Sequence, residues 1–488
     1  MRGLIDKRIL LGTLAAAAII RAAVFVVWSE DLQADPDAYV TIARTLAESS
    51  VYGTRDVATG KVSPTAYRPP LYPIFLAWLT RHDFATASDS FPLGRSQLSL
   101  AAVAIFHWLL GVATVMLTMQ VVAGLCKGLS GGVRAWSAAA AGLAVAADPI
   151  LLRQSSLVMT ETLATFLAVA AWASWLGYQE DHRWQAAIAP GILLGLSILC
   201  RPAAVLWSGL FIALWLVAAA IKFDRRELTR TAAVTAIALM VWSPWIVRNA
   251  IAIGRPIATT THGGYTLLLA NNPVLFDHYV RSGASRQWDE ERFHRLWALR
   301  HQRDLREGQA WVSEVPTLES AVTDGGQLGP ERELREDALA SEIAWATICR
   351  QPGVFAKACI YRVGWLWAAW PARGAGLLET AAVGTWYVSW YVAAAIAMWS
   401  GWRARASATI PATGAASRRA WWWRMLPGIT LAISITVVHA VYWSNMRMRS
   451  VAMPAVYAAV VSASARRYAT RRIDSGDEFA LGGTAGGG

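Results

Sequence analysis

Apolar residues occur in this chain as blocks of about twenty, separated by short polar turns and by two long polar intervals. A helix rises about 1.5 Å per residue, so roughly 20 apolar residues cover the hydrocarbon of a bilayer. The blocks 9–28, 98–124, 133–149, 156–177, 184–199, 203–221, 231–252, 378–399, 421–441 and 450–465 are the ten candidates. Block 184–199 is short and holds Pro190, and 133–149 is mostly alanine, which makes these two the weakest spans. An eleventh block, 354–370, carries Lys357 and Arg362. Its spacing lets both cations face headgroups while Phe355, Ile360, Val363, Leu366 and Trp367 dip into lipid, as an interfacial helix would. With ten spans the short basic turns fall on one side together with both termini, which satisfies the positive-inside rule and predicts cytoplasmic ends.

On that topology the two long intervals, 29–97 and 254–377, face outward. Within the first, 37–46 reads as a short helix capped near Asp35 with Pro36 at its start, and 71–79 as another that begins after Pro69 and Pro70. In the second, 289–305 and 330–349 read as helices joined by a Gly-rich stretch around 322–329. The tail 473–488 has nothing to bury and reads as disordered.

Composition narrows the class further. The chain is 55% hydrophobic and 16% charged, which fits a polytopic membrane protein. Its net charge of +12 sits mainly in short turns between apolar blocks, so it points to membrane orientation and not to nucleic acid. The four cysteines, Cys126, Cys200, Cys349 and Cys359, form no Cys-x-x-Cys pair and read as inert. The 26 tryptophans suit interfacial belts.

Candidate chemistry gathers at one set of helix ends. Asp35 is either the cap of the following helix, worth about 1 kcal/mol, or a general base within hydrogen-bond reach of an acceptor hydroxyl. Asp37 poses the same alternative. Arg68, in Tyr67-Arg68-Pro69-Pro70-Leu71, stands on a rigid turn that can aim its fork at phosphate oxygens; the plain alternative is an arginine snorkelling to headgroups. Asp148 precedes Pro149, and Glu161 lies inside the start of a block, where an unpaired acid costs about 2.5–3.5 kcal/mol. Glu161 is either a functional acid or one bonded to Arg153 or to a helix N-terminus. Arg153, Arg201, Arg248, Arg447 and Arg449 all break the orientation rule, which a shared anionic ligand would explain. No His/Cys/Asp set has metal-ligand spacing, and no Gly-rich phosphate loop or Gly-x-Ser-x-Gly turn occurs.

The order of these motifs resembles the GT-C glycosyltransferases, specifically bacterial members of the dolichyl-phosphate-mannose-protein mannosyltransferase family (glycosyltransferase family 39) and their lipid A aminoarabinose-transferase relatives. It runs from the acid after the first helix through Arg68-Pro69-Pro70-Leu71, Met159-Thr160-Glu161-Thr162, Arg201-Pro202, Pro244-Trp245-x-x-Arg248-Asn249, Gly264-Tyr265 and Asn271-Asn272-Pro273 to Arg447 and Arg449 ahead of Pro454. The family pattern reads Asp-Glu-x-x-Tyr; Asp35 and Tyr39 match it, while Pro36 replaces the Glu.

The resemblance implies an all-α GT-C unit over 1–472, with about ten transmembrane helices (eleven at most), outward-facing interfacial helices and the tail outside the unit. It implies an enzyme of the bacterial cytoplasmic (inner) membrane with its active site on the outer face. Such an enzyme moves a sugar, with inversion, from a polyprenyl-phosphate-linked donor to a hydroxyl of a glycolipid, glycan or protein acceptor. Asp35 would then be the base, with Asp37, Asp148 and Glu161 as further acids. Arg68, Arg201, Arg248, Arg447 and Arg449 would hold the donor phosphate, and Tyr39 and Tyr67 the substrate. The scheme calls for membrane lipid and the lipid-linked sugar as partners and for no cofactor; a divalent metal stays compatible with it. The alternative from another class is a polytopic transporter or flippase of lipid-linked sugars, which would favour internal repeats and binding groups at the midplane.

Overall fold

The computed structural model describes residues 5–35, 37–56, 59–82, 96–181, 183–282, 293, 297, 329–371, 376–406 and 412–474. The expected helix 289–305, the Gly-rich stretch 322–328 and the tail from 475 lie outside the described residues, as does Pro36.

The apolar blocks become helices in order: α1 (Lys7–Val27), α4 (Leu100–Leu125), α5 (Gly131–Ala147) with α6 (Pro149–Ser155), α7 (Glu161–Glu180), α8 (Ile188–Cys200), α9 (Ala203–Ile221), α10 (Arg225–Ala252), α15 (Leu377–Ala406), α16 (Ala412–Val441) and α17 (Met453–Asp474). Between them stand α2 (Tyr39–Ser49) and α3 (Leu71–Trp78) in the first long interval, and α11 (Gly263–Ala270), α12 (Pro273–Ser282), α13 (Pro330–Arg350) and α14 (Pro352–Leu366) in the second. The chain is an integral membrane protein. Among the described residues seven helices are long and apolar enough to cross a bilayer, or eight if the α5–α6 pair, bent by 53°, counts as one span. The expectation of ten is not reached on this measure. The 13 residues of α8 cover only about 20 Å, and α5 breaks where Asp148 and Pro149 end it.

The core forms around α7, which is buried along nearly its whole length. Trp175 meets Phe211 and Trp215 edge-on with centroids 5.5 and 5.8 Å away. Several tryptophans expected at interfacial belts are instead inside the bundle. Trp172, Trp175, Trp207 and Trp215 are buried, and three of them donate their indole N–H to internal acceptors: Trp172 to Arg424 O, Trp207 to Pro427 O and Trp215 to Glu227. Pro427 lies within α16, and its carbonyl accepts from Thr430 Oγ1 (3.0 Å) as well as from the Trp207 indole.

α14 has 15 residues and is too short to span. Its Arg362 does not face headgroups, however. It is 1% exposed and donates to Ala440 O (2.7 Å), Ala270 O (2.5 Å) and Asn271 Oδ1 (3.3 Å), which pins α14 to the ends of α11 and α16. Leu366 is likewise buried in protein and not in lipid.

The first interval also holds two antiparallel strand pairs that alternation did not reveal: β1 (Gly53–Arg55) with β2 (Val62–Pro64), and β3 (Thr80–His82) with β4 (Ser96–Leu98). Three-residue strands are too short to carry a period-2 signal. At Gly53 a Cβ would stand 2.3 Å from Ser63 O, so only glycine allows this pairing.

Candidate active site

Asp35 does cap α2, though not as the residue next to it. Its Oδ1 accepts from Val40 N (3.0 Å), and its Oδ2 from Thr41 N and Thr41 Oγ1 (both 2.9 Å). The reach is possible because Ala38 adopts the left-handed conformation (φ 59°, ψ 20°), which delays the helix to Tyr39. A carboxylate offers about four lone-pair sites, so three accepted bonds leave room for a fourth partner. The cap and the base are compatible on geometry.

The left-handed turn also sends Asp37 toward Arg68. Arg68 Nε donates to Asp37 O (2.7 Å) and Nη2 to Asp37 Oδ1 (2.9 Å), while the guanidinium lies over the rings of Tyr67 (4.6 Å) and Tyr39 (5.5 Å). Tyr39 is buried and packs edge-on against Tyr72 at 5.4 Å. Burial pushes its phenol up to about 12; Arg68 and Arg201 pull it down, whereas Asp37 and Glu161 push it further up. All four charges therefore act at one ring.

Glu161, at the first turn of α7, is 1% exposed. It faces Arg201 Nη1 at 3.4 Å from the α8–α9 turn and Arg447 Nε at 3.2 Å from the segment between α16 and α17. Neither contact has hydrogen-bond geometry, and Glu161 Oε2 has no hydrogen-bond partner either. One further donor of each arginine meets a thioether, Arg201 Nη2 at Met448 Sδ (3.5 Å) and Arg447 Nη1 at Met159 Sδ (3.1 Å). Arg68 and Arg201, from distant parts of the chain, thus act with Asp37 and Glu161 at Tyr39, and Arg447 joins them at Glu161, which faces two arginines.

Four other predicted residues lie elsewhere. Arg153 pairs with Asp31 and not with Glu161. Arg248 spends its donors on Thr65 O (2.7 Å), Tyr52 O and Asn249 Oδ1 (2.9 Å), and packs between Tyr52 and Trp245. Arg449 donates to Leu366 O and Ala368 O (2.9 and 2.6 Å) beneath Tyr387, in a buried network where Asp148 accepts from Leu151 N, Tyr387 and Tyr457. Among the described residues no group of three or more His, Cys, Asp or Glu could hold a metal ion.

Sequence reasoning missed the residues that brace Arg68 from the second interval. On α13, Glu333 accepts from Thr65 Oγ1 (2.5 Å), Ala66 N (2.9 Å) and Thr261 Oγ1, and Asp337, one turn later, accepts from Gly264 N (2.7 Å). Burial raises the Asp337 carboxyl above its usual value, against the amides of Gly264 and Tyr265. His262 stands between Tyr67 (4.5 Å) and Tyr265 (5.0 Å). Nothing in the string Pro330-Glu331-Arg332-Glu333 distinguishes the bracing acid from its exposed neighbour Glu331.

No family model and no curated protein matches the chain. Solved structures do. The oligosaccharyltransferase of Archaeoglobus fulgidus, tethered to an acceptor peptide, matches at a TM-score of 0.51 with 16% identity over 98% of this chain. ArnT from Cupriavidus metallidurans bound to undecaprenyl phosphate gives 0.36 and 16% over 96% of this chain and 79% of its own. The S. cerevisiae protein O-mannosyltransferase Pmt1-Pmt2 complex gives 0.34 and 20% over 52% of this chain and 35% of its own. The chain spans about half (51%) of the archaeal enzyme it matches. The fold is the GT-C fold.

Proposed function

We propose that this GT-C protein is a membrane glycosyltransferase that moves a sugar from a polyprenyl-phosphate-linked donor to an acceptor hydroxyl. The reaction takes place on the outer face of the bacterial cytoplasmic membrane, both termini being cytoplasmic. The observation that carries this reading is the gathering of Arg68 and Arg201 at Tyr39 and of Arg201 and Arg447 at Glu161, where Arg201 and Arg447 hold poorly aligned carboxylate contacts and thioether contacts. A phosphate is a better acceptor for such forks than a thioether. The acceptor oxygen bonds to the anomeric carbon as Asp35 takes its proton. The bond from that carbon to the phosphate oxygen breaks on the opposite side, giving inversion, and the polyprenyl phosphate leaves with the electron pair. The arginines stabilise the charge that grows on it. A transporter or flippase has less support, because these groups gather at helix ends beside α2 and α3 and not at a midplane site.

The sugar and acceptor are read from a deletion strain by mass spectrometry of its glycolipids and glycans. With both in hand, Asp35→Asn is expected to keep one of the two oxygens that cap α2 and to lower turnover by roughly 10²- to 10⁴-fold. Asp37→Asn is the matched control and is expected to be milder. Transfer by purified Asp35→Asn at the wild-type rate would leave Asp35 a cap only.

A further inference from the structure

The described residues outside the candidate site offer buried polar networks, a shallow groove along α15 and one bracing system. The bracing system carries an inference. Residues 65–68 form a strap between β2 and the double proline, and its polar groups are engaged from outside. Thr65 N donates to Tyr52 O, and Thr65 O accepts from Arg248. Ala66 N donates to Glu333, and Ala66 O accepts from Thr261 N at 3.0 Å. Tyr67 N donates to Thr65 Oγ1 (3.0 Å), and Arg68 O accepts from Tyr52 Oη (2.9 Å).

Of these partners Tyr52 is local, Arg248 belongs to α10, and Glu333 alone comes from α13. Glu333 is also the group that gathers the most: one carboxylate takes the strap's hydroxyl, its amide, and Thr261 from the segment that covers it. α13 is seated tightly enough to set that carboxylate, because Gly264 lies so close that an added Cβ would stand 2.0 Å from Asp337 O. We infer that Glu333 is a positioning residue that fixes the strap and so aims the Arg68 guanidinium, an inference that rests on the glycosyltransferase reading for what Arg68 is aimed at. A side chain held on a braced backbone gives up less freedom when it engages an anion.

The test uses the full-length protein in lipid nanodiscs with undecaprenyl phosphate as probe. Glu333→Gln keeps one acceptor and Glu333→Ala keeps none. Amide exchange at Ala66 and Tyr67 is expected to rise by about tenfold or more in Glu333→Ala and by less in Glu333→Gln. Probe affinity is expected to fall in the same order, by about tenfold in the alanine variant. Adding Glu333→Gln to Arg68→Ala should weaken the probe no further than Arg68→Ala alone, because the two act through one guanidinium. Losses that simply add, or unchanged exchange at Ala66 and Tyr67, would overturn the positioning role. Should Glu333→Ala fail to fold, Glu333→Gln decides between the same two outcomes. Wild-type protein that does not bind the probe sinks the glycosyltransferase reading, and with it the aim assigned to Arg68, whereas the exchange measurement judges the brace alone.

Discussion

Two sets of arginines in this molecule look alike in the sequence and differ in what they donate to. Arg248, Arg362 and Arg449 donate mainly to backbone carbonyls, at 2.5 to 2.9 Å where they close on Ala270, Thr65, Leu366 and Ala368. Arg68, Arg201 and Arg447 face carboxylates. A carbonyl-bound guanidinium is a fastener, since it satisfies backbone groups that a bilayer would leave bare. A carboxylate-bound one is, on the function proposed above, a charge kept in reserve, because a ligand anion would share or replace its partner. Arg68 belongs to both kinds, with one bond to the Asp37 carbonyl and one to its carboxylate.

The comparison breaks most visibly through stability. Arg362→Met or Arg449→Met strips donors from two carbonyls each, at about 1–3 kcal/mol per carbonyl, a total of about 2–6 kcal/mol. Thermal unfolding in detergent should show both variants far below the wild type. An Arg449→Met protein that melts normally yet cannot transfer sugar would move Arg449 into the other set. Arg68→Ala should stay folded and lose about 10- to 100-fold in transfer at limiting donor, with Arg68→Lys between it and the wild type. Equal, near-normal rates for both variants would take Arg68 out of the reserve set.

The smallest effect concerns His262, which Tyr67 separates from Arg68. Burial, and secondarily the Arg68 charge, hold its imidazole down at about 3, below the usual value near 6.5. The unfolded chain therefore takes up a proton that the folded one refuses, and stability falls as pH drops from about 6.5 toward 3. In His262→Gln that part of the acid sensitivity should vanish, seen as a shallower decline of melting temperature below pH 6.5. Identical slopes for the two proteins would place His262 in water.

The blocks that became helices were legible because length and hydropathy are local properties. The helix after Pro70 is legible too: the double proline predicts 71–79 and α3 is Leu71–Trp78. Expected 330–349 likewise matches α13. The cap at Asp35 was legible, but its register was not, since the left-handed Ala38 sets where α2 starts and alanine carries no signal for that conformation. Arg362 was misread because the spacing that brings a cation to headgroups also brings it to the carbonyl end of a neighbouring helix. Glu161 was known to need a partner, but which of several arginines supplied it depended on helices far apart in the chain. Glu333 could not be found at all, since its meaning lies in Thr65 and Ala66, more than 260 positions away.

The triad of Glu161, Arg201 and Arg447 also carries a schedule. Synthesis runs from the N-terminus, so the acid that starts α7 is followed by Arg201 within one helical hairpin, as two neutralising halves of a single inserting unit. Arg447 is made roughly 15 to 60 seconds after Glu161 at about 5–20 residues per second. The late arginine meets a pair that is already balanced. Its own charge is the one left over in the triad, so this cluster acquires a net positive charge only as the last helices arrive.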